Sequence, residues 1–126
     1  MRSKTGHIIF TKKMKYKDLV PIYRDLYMRF LKETNQLEEE EERNHMLIRL
    51  NLLDLEKNRK PEGHNRNCRT KMVFPITKKG GIQFYIKGNT RSSEITKVTE
   101  SLSKFLNDND VDHKVEWDKL RFFRSR

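Results

Sequence analysis

The chain has 126 residues, 34% hydrophobic and 37% charged, with a formal net charge of +10. That length builds one domain around a single core, so residues 1–126 are read as a single domain. The lone Cys68 excludes an internal disulfide, no apolar run reaches the length of a membrane span, and no signal-peptide core opens the sequence; a cytoplasmic protein is expected, with nuclear and virion-interior settings also compatible.

The first element is the apolar run His7-Ile8-Ile9-Phe10, which predicts a buried central strand between basic flanks. Asp18 then offers an N-cap and Pro21 suits a first helical turn. Ile22, Tyr23, Leu26 and Phe30 recur at helical spacing, predicting a helix over residues 19–35. Glu38 to Glu42 reads as the acidic opening of a second helix, over residues 38–58. Ile48 to Leu52 also alternates, but the helix formers on both sides favour helix. Met46, Leu47, Leu50 and Leu53 form its stripe, and Ile48, Leu52 and Leu55 widen it. An arc that broad requires burial on two sides or a partner chain.

Residues 57–71 carry Pro61, Gly63 and six basic residues without periodicity, the pattern of a loop. Two β-rich runs follow around Gly80-Gly81 and predict a hairpin. A three-residue loop, Lys79-Gly80-Gly81 with Gly in the left-handed region, sets Phe74 opposite Ile86 and Ile76 opposite Phe84. Met72, Phe74, Ile76, Ile82, Phe84 and Ile86 then share one face. Pro75 cannot donate to a ladder, so the strand from Met72 to Lys78 belongs at a sheet edge.

Ser92 or Ser93 is expected to cap the next helix, whose apolar stripe is Ile95, Val98, Leu102, Phe105 and Leu106. Val111, His113, Val115 and Trp117 alternate as a last strand, with Trp117 assigned to the core. The phase changes at Asp118-Lys119, by a bulge or a tight hairpin, after which Leu120 and Phe122 become the apolar letters. The order is strand, helix, helix, two strands, helix, strand. With the extra helix inserted between strands 1 and 2 set aside, this is an α+β, ferredoxin-like (split β-α-β) antiparallel sheet.

Charge is concentrated. Lys57 to Arg91 holds ten basic residues against Glu62 alone. Such a window favours a polyanion, and the expected site comprises Lys57, Arg59, Lys60, Arg66, Arg69, Lys71, Lys78, Lys79, Lys87 and Arg91 on phosphates. Tyr85 is expected to stack bases on the sheet face away from the helices. Residues 1–17, with six unopposed basic residues, compete as a site. The RNA-recognition signature is not kept, because Gly81 and Gln83 stand where its stacking aromatics belong. The function expected is a non-catalytic nucleic-acid-binding protein, RNA ahead of DNA. The alternative is a small interaction module, an oligomer-forming or inhibitor protein that uses the helix over 38–58. No metal or cofactor is expected. His64 and Cys68 form no complete ligand set or nucleophile pair, and no phosphate loop or catalytic motif occurs, so an enzyme is the least favoured class.

Overall fold

The structure is a computed structural model that describes residues 4–10, 14–36, 41–61, 70–75, 81–88 and 90–118, with backbone alone at 41–44 and 47. Its elements are β1 (Gly6–Phe10), a 3-10 turn (Tyr16–Leu19), α1 (Val20–Glu33), α2 (Glu41–Glu56), β2 (Thr70–Val73), β3 (Gln83–Gly88), α3 (Ser92–Asp108) and β4 (His113–Trp117). The strands form one antiparallel sheet in the order β2-β3-β1-β4, so the fold is α+β, with β1 central and β2 at an edge. No helix among the described residues is long and apolar enough to cross a membrane.

The sheet covers its core through alternate positions. Ile8, Phe10, Phe84, Ile86 and Met72 turn toward the helices and are buried. From the helix side come Tyr23, Leu26, Phe30 and Leu31 of α1 and Ile95, Val98, Leu102 and Leu106 of α3. β1 meets α3 closely at Gly6, where a Cβ would overlap Thr99 Oγ1 and stand 2.9 Å from Thr99 Cβ and Cγ2. A side chain there has no room, which explains the glycine in a central strand.

All three helices end alike. Asn35, Asn58 and Asp110 adopt φ 58°, and the amide three residues beyond each helix reaches back five residues: Gln36 to Leu31, Arg59 to Asp54, Val111 to Leu106. This is the Schellman arrangement with Asn or Asp in place of glycine.

Several expectations require correction. The β2–β3 register is two residues from the expected one: Met72, not Phe74, stands opposite Ile86, and Val73 opposite Tyr85. A shift of two preserves which side chains share a face, so Phe74 and Phe84 are still core neighbours, their rings 5.4 Å apart. β2 ends at Val73 because Pro75 removes a donor and pushes Phe74 from regular pairing. Of the expected loop, Lys79 and Gly80 lie outside the described residues, as does Ile76, and Gly81 is not left-handed.

Asp18 does not cap α1. It lies in the 3-10 turn, where its Oδ2 accepts from Lys15 N at 2.8 Å. Pro21 does open α1. The N-cap of α3 is Arg91, without a side-chain acceptor, rather than a serine. Trp117 is half-buried at the edge strand, with Lys4 Nζ 4.4 Å from the centre of its ring. β4 ends at Trp117, where Asp118 has φ 57° and its Oδ1 accepts from Thr5 N at 3.0 Å; the expected change of phase falls on residues outside the description. Residues from Lys119 onward, including Leu120, Phe122 and Phe123, lie outside the description.

Candidate nucleic-acid interface

The face of the sheet away from α3 carries the odd-numbered residues of β1, β2 and β3 and the even-numbered residues of β4. Its central row runs Val73, Tyr85, His7, Glu116 across β2, β3, β1 and β4. This row is closed to solvent at its middle: His7 is fully buried and Tyr85 only 8% exposed. Their rings lie 5.2 Å apart, and Thr5 Oγ1 is 2.8 Å from His7 Nε2. Burial pushes the Tyr85 hydroxyl above its ordinary pKa. A stacking platform requires an exposed ring, so Tyr85 serves here as a packed residue, contrary to the sequence expectation. The signal lay in His7-Ile8-Ile9-Phe10, since a strand apolar on both faces implies that both faces are covered.

One row further toward the start of β2, Lys71 stands directly opposite Lys87. Lys87 is exposed and Lys71 half-exposed, and neither forms an ion pair among the described residues. Like charges in facing ladder positions repel, so this pair costs the sheet several tenths of a kcal/mol, up to about 1. The register Gly6↔Ile86 brings residue 4 to the same sheet end, so Lys4 from the competing basic segment lies there too. Arg91, exposed at the head of α3, also follows this end of β3. On the opposite end of the row, Lys114 is balanced by Glu116 at 3.2 Å.

The loop residues divide. Lys57 is exposed just past α2. Arg59 is held by the α2 terminus through its backbone and ion-paired to Asp54 at 3.3 Å, which lowers its availability to phosphate. Lys60 is half-buried near Tyr16, whose hydroxyl pKa is raised by burial against the opposing pull of that lysine. Arg66, Arg69, Lys78 and Lys79 lie outside the described residues, together with His64 and Cys68. Among the described residues no three His, Cys, Asp or Glu side chains cluster closely enough to hold a metal ion.

The face therefore unites Lys71 and Lys87, leaves Arg91 and Lys4 beside the same sheet end, and withdraws Tyr85 and Arg59. What this arrangement can do is attract an extended anion at the β2–β3 rim without reading its bases. No family model, curated protein or solved structure matches this chain.

Proposed function

We propose that the chain is a ferredoxin-like (split β-α-β) domain with α2 inserted, and that it binds nucleic acid without catalysis, through phosphates at the β2–β3 rim. The fold reading is supported by the order β2-β3-β1-β4, all neighbours antiparallel, with α1 after β1 and α3 between β3 and β4. The functional reading is carried by the Lys71–Lys87 pair, two facing positive charges with no ion-pair partner among the described residues. A phosphate between them turns their mutual repulsion into attraction on both sides. Arg91, exposed at the head of α3, follows the same end of β3. Because Tyr85 is buried, binding is expected to follow the backbone of RNA or DNA and to ignore base sequence. The setting that goes with this reading is the cytoplasm.

The test is a salt titration of fluorescence anisotropy with single-stranded RNA, single-stranded DNA and duplex. The joint Lys71→Ala and Lys87→Ala variant should bind all three more weakly, with a slope of log affinity against log salt shallower by about 1.5. Lys71→Glu should weaken binding further while raising fold stability by about 0.2–1 kcal/mol, since it replaces a repulsive cross-strand pair by an attractive one. Wild-type protein that binds none of the three at low salt overturns the proposal, as does a double variant with the wild-type slope.

A further inference from the structure

α2 presents two unlike faces. Ile48 and Leu55 are fully buried against α1 and the 3-10 turn, whereas Met46, Leu50 and Leu53 are 64%, 39% and 42% exposed. These three are the exposed large apolar side chains of the described structure. Their spacing of four and three is that of a helix-pairing seam. A depression of about 320 Å³ adjoins the seam on the α1 side, lined by Arg24, His45, Arg49, Leu52, Leu53 and Glu56.

We propose that Met46, Leu50 and Leu53 form the seam through which two copies of this chain pair, α2 against α2 and antiparallel. The charges beside the seam identify the occupant. Arg49 and Glu56 lie on the same flank, seven residues apart, both exposed and neither in an ion pair among the described residues. When Leu50 packs on Leu53 of a second antiparallel copy, Arg49 comes alongside Glu56 of that copy, and the two-fold axis repeats the contact. Sliding one layer, so that Met46 meets Leu50, sets Arg49 against Arg49 and is opposed by charge.

A parallel pair needs Asp54 as the partner of Arg49. Asp54 is already bound to Arg59, and its side chain is only 15% exposed. Nucleic acid is a poor occupant of this face, because residues 41–56 carry four acidic and two basic residues. The inference is independent of the phosphate-binding rim.

Sedimentation velocity from micromolar to millimolar protein tests the proposal, with circular dichroism to verify the fold of each variant. The wild type should pass from monomer to dimer. Leu53→Asp should remain monomeric, and its site is exposed enough for the fold to survive. Arg49→Glu and Glu56→Arg alone should each raise the dissociation constant about tenfold, since two symmetric contacts change from attractive to repulsive. The two together should restore the wild-type value. A wild type monomeric at millimolar concentration overturns the proposal. So does a dimer indifferent to these four variants, or a double variant no better than the singles.

Discussion

Gly6→Ala should destabilise the fold far more than one added methyl group suggests. The new Cβ would overlap Thr99 Oγ1 and stand 2.9 Å from Thr99 Cβ and Cγ2, whereas relaxed carbon contacts lie at about 3.5–4.0 Å. A rotamer change at Thr99 frees only its outer atoms. It also breaks the 2.8 Å bond from Thr99 Oγ1 to Ile95 O, at a site with no solvent exposure. The Cβ of Thr99 moves only with α3, and α3 carries Ile95, Val98, Leu102 and Leu106 into the core. Overpacking at about 1–3 kcal/mol plus a buried hydroxyl bond at about 1 gives about 2–4 kcal/mol. For a chain of 126 residues that is a fall in melting temperature of about 8–16 °C. Urea denaturation of Gly6→Ala, Thr99→Ala and the pair forms a double-mutant cycle, in which Thr99→Ala should recover at least about 1 kcal/mol of the loss. A Gly6→Ala protein as stable as the wild type, or a cycle without coupling, refutes the close approach of β1 and α3.

Two further outcomes follow from burial. Leu50→Ala should cost less than about 1 kcal/mol in dilute monomer, whereas Ile48→Ala, two residues earlier and fully buried, should cost about 2–4 in the same urea titration. The four tyrosines should titrate unequally when followed by ultraviolet absorbance, because burial raises the hydroxyls of Tyr16 and Tyr85 above 10.0 and that of Tyr23 well above it. The unfolded chain then loses these protons first, so the stability they contribute is full below about pH 10 and is lost as the pH rises beyond it. All four titrating together near pH 10 in folded protein would contradict the packing of Tyr23.

Hydrophobic pattern placed α1, α3 and β4, each apolar at its own period, while β1 was marked by a short apolar run and α2 by the helix formers around an ambiguous stretch. α3 was legible from Ile95 to Leu106, and the edge position of β2 from Pro75. Register was not legible: a shift of two residues leaves the apolar face unchanged, so the letters around Phe74 and Ile86 admit both pairings. Capping was misread at Asp18, where one carboxylate fits both the N-cap of α1 and the turn before it. At the candidate site, charge density marked the window around Lys71 and Lys87, but only the ladder set the two opposite one another. The division of α2 into a buried and an exposed seam needed three dimensions, since Ile48 and Leu50 are equally apolar letters.

The position of β1 governs how the molecule comes into being. One flank of β1 pairs with β3 and the other with β4, and Thr5 is tied to Asp118 across 113 residues of sequence. The most apolar strand is therefore the first to be synthesised and the last to be fully enclosed. A nascent chain on the ribosome holds Ile8 and Phe10 ready long before Val115 and Trp117 exist, with one ladder edge open until then. Pairings so distant in sequence make folding slow, and the interval leaves an apolar edge available to strands of neighbouring chains. The basic residues flanking β1, Lys4 before it and Lys12, Lys13, Lys15 and Lys17 after it, are well situated to keep such half-made chains apart by mutual repulsion.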